Sequence, residues 1–270
     1  MRIGIKPGQW GWRFDELTAA WERIEALGFH VISCFDRVSA KPGGHPAWDA
    51  PTLLAAMAGH TQRISLAVDV INVSLRHPFM LAAQLAVDQA ASGGRLEVGL
   101  GAGSYGIARF DHQALGIPFP PLAERLKLLD ACTRAFPALW RGETVTDPQL
   151  GLHAASLGPL GIVPPPIIVG GASGALLETA VRFADGWNVV VESAEEYAEH
   201  AGTVNEFCQR LGRMRPLLRQ VQLFADAFEP AAARDAVDRL ASHGATTVLF
   251  VLYQNHDLSA IDRLAKAVLA

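Results

Sequence analysis

The chain has 270 residues, of which 50% are hydrophobic, and its formal net charge at pH 7 is −4. This length suits one α/β barrel domain, and the mixed charges form no basic stripe of the kind that nucleic acids require. We therefore predict a single domain over residues 1–270 that acts on a small-molecule substrate, with neither nucleic acid nor membrane as a partner.

Eight apolar, β-rich segments alternate with eight segments of helical periodicity. This alternation predicts a parallel sheet with helical crossovers, and eight units are the number that closes a (β/α)8 TIM barrel. The predicted strands cover residues 2–6, 30–35, 64–71, 95–100, 166–170, 186–191, 220–225 and 246–252. The predicted helices cover residues 14–27, 50–60, 79–91, 121–140, 174–184, 194–211, 230–242 and 258–269.

Residues 37–49 and 141–166 are rich in Pro or Gly and interrupt this alternation, which is typical of functional loops. No apolar segment reaches the roughly 18 residues of a membrane helix and no leader precedes the first strand, so we expect a cytoplasmic protein. The widely spaced Cys34, Cys132 and Cys208 predict neither a disulfide framework nor a metal site. The sequence is also compatible with a homodimer.

The loop after the fourth predicted strand contains Gly101, Ala102, Gly103 and Ser104. In TIM barrels the active site is built from the loops at the C-terminal ends of the strands. Small side chains here would let a planar ring or a phosphate-bearing tail approach the main chain closely. A tight exit from the strand would explain the same residues without a ligand.

The loop after the fifth predicted strand contains Gly170, Gly171, Ala172 and Ser173, and it leads into a helix. Amide groups at a helix N-terminus, with a hydroxyl beside them, form a favourable anion site. We therefore predict that this loop holds a cofactor phosphate, with simple helix capping as the alternative.

Ionisable residues at the predicted rim are the candidates for catalysis. Asp36 ends the second strand next to Arg37, although an ion pair of little consequence is the alternative. Asp69 ends an apolar strand, where an unpaired carboxylate would be costly. His45 and His112 lie on the loops after strands two and four and could donate or accept a proton near neutral pH. The candidate catalytic residues are thus Asp36, His45 and His112.

Five motifs follow one another along the chain. They are RHP at 76–78, SGGRLEVGLGAG at 92–103, LWRGETV at 139–145, PPIIVGG at 165–171 and ADGWN at 184–188. Together they resemble the luciferase-like monooxygenase superfamily, and most closely its coenzyme F420-dependent oxidoreductase branch.

The resemblance implies a luciferase-like barrel that uses coenzyme F420, or alternatively FMN, to oxidise or reduce a small organic substrate. It also implies a cis peptide bond at Asp69–Val70 that backs the cofactor ring, so both residues join the predicted cofactor-binding set. Two positions depart from the family: Arg37 replaces a common His, and Ser104 replaces a common Trp.

Four functions are therefore compared. An F420-dependent hydride-transfer enzyme is the leading hypothesis, and an FMN-dependent monooxygenase is the first alternative. The missing His would also suit a non-catalytic barrel that binds a flavin or another ligand. The anion site at residues 170–173 would suit a barrel enzyme that acts on a phosphate substrate without a flavin.

Overall fold

The computed structural model describes residues 1–39, 47–224, 230–252 and 258–269. Within these ranges the strands are β1 (Arg2–Lys6), β2 (Val31–Cys34), β3 (Ser65–Asn72), β4 (Leu96–Gly101), β5 (Val145–Asp147), β6 (Leu152–Ala155), β7 (Ile167–Gly170), β8 (Gly186–Val190), β9 (Leu218–Phe224) and β10 (Thr247–Val251). The helices are α1 (Phe14–Ala26), α2 (Ala50–His60), α3 (Pro78–Ala91), α4 (Tyr105–Leu115), α5 (Leu122–Trp140), α6 (Gly174–Phe183), α7 (Ala194–Arg210), α8 (Pro230–Ser242) and α9 (Leu258–Val268).

The strands form a closed barrel in the order β1-β10-β9-β8-β7-β4-β3-β2, and each neighbouring pair is parallel. This confirms the predicted TIM barrel, and each predicted strand overlaps an observed one. Because both faces of such strands are covered, they are rich in Val, Ile and Leu; β10, for example, is buried along its whole length. The C-terminal strand ends therefore share one rim.

Helix α4 follows β4 directly and was not predicted by the sequence pattern. It begins after Ser104 and ends at Gly116, whose φ of 67° lies in the left-handed region that favours glycine. The helix occupies the predicted loop after β4, and it places Asp111 and His112 beside the barrel mouth.

The 141–166 region is only partly a loop. Strands β5 and β6 form an antiparallel hairpin around a 3-10 turn at Pro148–Leu150, so the prediction of an irregular segment is wrong there. These strands have three and four residues, which is too short for an alternating pattern to be recognised. No helix in the described part of the chain is long and apolar enough to cross a membrane.

Candidate functional site

A cavity of about 520 Å³ opens at the C-terminal ends of the barrel strands. Of the predicted cofactor-binding residues, all except Ser173 line it, and so does Asp36. These residues are Asp36, Asp69, Val70, Gly101, Ala102, Gly103, Ser104, Gly170, Gly171 and Ala172. The fold thus brings together segments that lie more than 130 positions apart in the sequence.

One side of the cavity is formed by Val70, Gly101 and Gly170, which we call the Val70 wall. The Asp69–Val70 peptide bond is cis, as the resemblance implies. A Cβ atom added at Gly170 would lie 2.6 Å from Val70 Cγ1, and one added at Gly101 would clash with Val70 Cγ2. These two glycines therefore make room for Val70, and both of them also line the cavity. A ligand at this wall would contact Val70 itself.

Asn72 lies beside this wall, and within the described part of the chain its amide group is hydrogen-bonded through Oδ1 but not through Nδ2. Its Oδ1 accepts hydrogen bonds from the backbone N–H and the hydroxyl of Ser74, at 3.1 and 2.8 Å. These bonds fix the amide orientation. Its Nδ2 is buried and has no hydrogen-bond partner among the described residues, and Asn72 is part of the cavity lining. A buried donor without a partner is costly, so a ligand acceptor that reached this nitrogen would relieve that cost.

Asp36 lines the cavity, but both of its carboxylate oxygens are already bonded. Arg76 donates to them from two nitrogens, each at 2.7 Å, and the Asn72 backbone N–H donates at 3.1 Å. Burial raises the pKa of the Asp36 carboxyl above its ordinary value, while Arg76 opposes that effect. In this arrangement Asp36 orients Arg76 and the end of β3.

Arg37 stands where the family commonly has a His, and it forms an ion pair. Its Nε lies 3.2 Å from Asp111 Oδ2, and its guanidinium lies over the Trp10 ring at 5.5 Å. Asp111 also accepts from the backbone N–H and the hydroxyl of Ser39. The pair joins the end of β2 to α4. Sequence reasoning missed Asp111 because it did not predict α4.

His112 is buried on α4 and does not line the main cavity. It lines a second pocket together with Phe119 and Arg125, beyond α4. Its Nδ1 lies 2.8 Å from the Ala108 carbonyl oxygen and its Nε2 lies 3.1 Å from the Ser74 hydroxyl. His112 is therefore connected to the cavity lining through Ser74 and Asn72 and through Ala108. The other candidate histidine, His45, lies outside the described residues.

The floor of the cavity contains a polar network, of which the sequence analysis identified Asp69 alone. We call it the Lys6 network, and it consists of Lys6, Asp69, Asn188, Gln220 and Gln222. Lys6 Nζ donates to the Asp69 carbonyl oxygen and to Gln222 Oε1, at 2.5 and 2.8 Å. Gln222 Nε2 donates to Asn188 Oδ1 at 2.7 Å, and Asn188 Nδ2 donates to Gln220 Oε1 at 3.1 Å. Four strands are thus joined inside the barrel.

The Asp69 carboxylate belongs to the same network. It accepts from the Ser33 hydroxyl at 2.7 Å, and Asn188 Nδ2 lies 3.4 Å from its other oxygen. Burial raises the pKa of Asp69 to about 6, although Lys6 and Ser33 favour the charged form. Burial lowers the pKa of Lys6 to about 8, against the attraction of Asp69. Both groups therefore titrate closer to neutral pH than they would in water.

In the loop that leads into α6, one amide group already donates a hydrogen bond within the protein. The Gly171 N–H donates to the Asn188 carbonyl oxygen at 2.9 Å, so this amide is not available to a phosphate. Ser173 is the N-cap residue of α6, and its side chain makes no capping bond. The first amides of the helix have no partner within the helix, and the exposed Ser173 hydroxyl lies beside them. In the described part of the chain, no cluster of three or more His, Cys, Asp or Glu could hold a metal ion.

A family model described as luciferase-like monooxygenase matches residues 2–265 of this chain. Over 103 residues the chain is 34% identical to 4-hydroxyprotoasukamycin monooxygenase from Streptomyces nodosus subsp. asukaensis, a match that covers 38% of this chain and 26% of that protein. The chain therefore spans about a quarter of the length of this curated relative.

Solved structures with the same fold include enzymes with two different cofactors. The coenzyme F420 dependent tetrahydromethanopterin reductase from Methanopyrus kandleri superposes with a TM-score of 0.81 at 16% identity, covering 99% of this chain and 98% of that chain. The oxygenating constituent of 3,6-diketocamphane monooxygenase from Pseudomonas putida, in complex with FMN, superposes with a TM-score of 0.76 at 14% identity, covering 99% and 98%. At these identities the likeness establishes the fold.

Proposed function

This chain belongs to the luciferase-like monooxygenase family, and from that membership we propose that it is an oxidoreductase that binds coenzyme F420 and exchanges a hydride with a small organic substrate. The observation that carries the proposal is the combination of the Val70 wall with the Nδ2 donor of Asn72, which has no partner among the described residues. An apolar surface beside a fixed donor suits a planar ring that carries acceptor atoms on its edge.

The residues of this chain would bind and orient such a ring. Val70 would contact its face, and Asn72 Nδ2 would donate to an acceptor on its edge. Arg125 supports this side of the cavity from behind, because its guanidinium donates to the carbonyl oxygens of Ala102 and Gly103. A rigid wall reduces the free-energy cost of ordering the site on binding.

The loop after β7 would receive the phosphate of the cofactor tail. With the Gly171 amide bonded to Asn188, the donors for a phosphate would be the Ser173 hydroxyl and the first amide groups of α6, which begin at Gly174. Helix N-termini bind anions because their first amides are unpaired and the helix dipole is positive there. When bound, the deazaflavin would supply the two-electron redox chemistry that side chains lack.

An FMN-dependent monooxygenase is the second candidate. The description of the matched family model and the name of the Streptomyces relative favour it. A riboflavin phosphate would use the same wall and the same anion site, so the two candidates differ in the cofactor and in the role of oxygen.

A side-by-side titration of the purified protein with coenzyme F420 and with FMN tests the proposal. Ring absorbance and fluorescence would report binding directly. We expect saturable binding of F420 with a lower dissociation constant than for FMN. Tighter binding of FMN, followed by oxygen consumption with reduced flavin, would favour the second candidate. Binding of neither cofactor would overturn both.

A further inference from the structure

Lys6 is a buried amine at the floor of the cavity, and neither the family comparison nor the sequence motifs assign it a role. An ammonium group has three donors. The structure gives it two acceptors, the Asp69 carbonyl oxygen and Gln222 Oε1. Because Lys6 is 4% exposed and lines the cavity, its third donor is a candidate partner for a bound ligand.

Two of the other charged side chains of the described cavity lining are held by a counter-charge: Asp36 is bonded to Arg76 through two hydrogen bonds, and Arg37 is paired with Asp111. Asp69 also lines the cavity, accepts hydrogen bonds from neutral donors and attracts the Lys6 ammonium. The hydrogen bonds of Lys6 itself go to neutral oxygen atoms. Lys6 can therefore give up a proton without breaking a hydrogen-bonded ion pair.

We propose that Lys6 is a catalytic residue that donates the proton to the oxygen atom of a carbonyl substrate while the substrate is reduced. This inference rests on the proposed F420-dependent function. In the step, the carbonyl carbon gains a C–H bond from the hydride of the reduced deazaflavin, and the C=O π electrons take the Lys6 proton to form an O–H bond. The carbonyl becomes an alcohol, the deazaflavin is oxidised, and the neutral amine of Lys6 then takes a proton from solvent water.

The surroundings of Lys6 support this role. Burial lowers its pKa to about 8, and the charge of Asp69 on β3 opposes that effect. Cys34 on β2 also faces Lys6, and burial raises the pKa of its thiol, which is therefore neutral. Gln222 faces it from β9, and the Phe35 ring centroid lies 5.6 Å from Nζ. A general acid works best when its pKa lies near the operating pH. The ammonium form is present below pH 8, so reduction should slow as the pH rises through about 8.

The cavity also indicates the class of substrate. Beside Lys6 the lining includes the rings of Trp10 and Phe224 and the side chain of Val251. The carboxylates of Asp36 and Asp111 are already paired. An apolar lining with one available proton donor suits a compact, uncharged aldehyde or ketone.

The first test measures Lys6 without turnover. The chain contains four lysines, Lys6, Lys41, Lys127 and Lys266, so protein labelled with 13Cε-lysine gives a readable NMR spectrum. The Lys6→Met variant assigns the Lys6 signal. We expect this signal to titrate near pH 8, well below the value of about 10.4 that a lysine has in water. The Asp69→Asn variant should lower the Lys6 midpoint further, because it removes an attractive charge. A Lys6 midpoint above pH 10 would overturn the proposal.

The second test separates proton donation from charge. Lys6→Met should bind F420 as the wild type does, yet reduce an uncharged aldehyde with a kcat lower by about 10²- to 10⁴-fold. Lys6→Arg keeps the positive charge but cannot release a proton at neutral pH, so we expect it to be as slow as Lys6→Met. Lys127→Met, at an exposed position on α5, is the matched control. The unfolding midpoint of each variant is measured first.

The outcomes distinguish the two claims. If both Lys6 variants retain kcat within threefold of the wild type while F420 binds, Lys6 is not the proton donor and the proposed function stands. If His45→Asn rather than Lys6→Met removes activity, the donor is His45 and the inference is overturned. If the wild type binds no F420, the proposed function fails and this step fails with it.

Discussion

The Val70 wall and the Lys6 network share one cavity, but they are built in different ways. The wall is formed by close packing, in which Val70 fills the space left by Gly101 and Gly170. The network is formed by buried polar groups whose donors and acceptors satisfy one another across four strands. The wall offers a ligand a shaped apolar surface, whereas the network offers it a proton and a charge.

The difference shows how one barrel can place the binding surface and the proton donor in separate regions. A packed wall tolerates no added atoms, because interiors have the density of organic crystals. A polar network tolerates no removed partner, because each buried group left without a hydrogen bond costs about 1–3 kcal/mol. The two regions should therefore fail under opposite kinds of substitution.

Asn188→Leu breaks the Lys6 network at its centre and should have the largest effect. The substitution leaves Gln222 Nε2 without its acceptor and Gln220 Oε1 without its donor. It also leaves the Asp69 carboxylate with the Ser33 hydroxyl but without the Asn188 amide. We expect the free energy of unfolding to fall by about 3 kcal/mol or more. Urea denaturation measures it.

Ile168→Leu is the control for Asn188→Leu, because it conserves volume at a fully buried position on β7 and should cost less than about 1.5 kcal/mol. If both variants unfold at the same urea concentration, the network does not contribute to stability and the contrast with the wall is lost.

Gly101→Ala overfills the Val70 wall. The added Cβ would meet Val70 Cγ2, and overpacking of this kind costs about 1–3 kcal/mol. In the double variant Gly101→Ala with Val70→Ala, the clash is absent, so the two changes should be non-additive by about 0.5–3 kcal/mol. Thermal or urea unfolding of the four proteins completes the cycle.

Gly59→Ala on α2 is the control for the wall, because a Cβ there would have no neighbour within 4 Å. It should leave stability unchanged or raise it slightly. Strict additivity of the Gly101 and Val70 substitutions would show that Val70 does not fill the space beside Gly101.

Of the three substitutions, Ser173→Ala should have the smallest effect, and it tests the proposed site of the cofactor tail. The Ser173 side chain makes no capping bond, so its loss should leave stability unchanged while cofactor binding weakens by about 1 kcal/mol. Ser193→Ala is the converse control, since the Ser193 side chain accepts a hydrogen bond from the Glu196 N–H at the start of α7. That variant should lose about 1 kcal/mol of stability and keep its cofactor affinity. If Ser173→Ala leaves the cofactor affinity unchanged, the Ser173 hydroxyl does not belong to the proposed site.

The glycines of the wall were predictable from local motifs and Val70 from the family resemblance, whereas Asp69 was the one member of the network that the sequence indicated. Runs such as GLGAG at 99–103 and VGG at 169–171 are local signals, and alternation of elements places both at one rim. Lys6, Asn188 and Gln222 are single polar residues in three separate strands. No local pattern shows which interior positions of a barrel face one another, because that depends on the closed register of the whole sheet.

The candidate catalytic residues illustrate the same limit. The sequence places Asp36 and His112 near the rim, and both are found there. Their roles depend on partners that the sequence does not reveal. Arg76 forms an ion pair with the Asp36 carboxylate, and the position of His112 on α4 directs its ring toward Ser74. The sequence thus predicts that Asp36 and His112 lie near the rim, but it does not predict which hydrogen bonds they form.

The measurement that tests the account most directly is the dissociation constant of coenzyme F420 for Asn72→Ala beside the wild type. The wall and the Asn72 donor together carry the proposed ring site, so loss of the Nδ2 donor should raise the dissociation constant about tenfold. Ser74→Ala, which removes one bond to Asn72 Oδ1 but keeps the Nδ2 donor, should change it by less than about threefold. Equal affinity of Asn72→Ala and wild type, with both proteins fully folded, would contradict the proposed position of the cofactor ring.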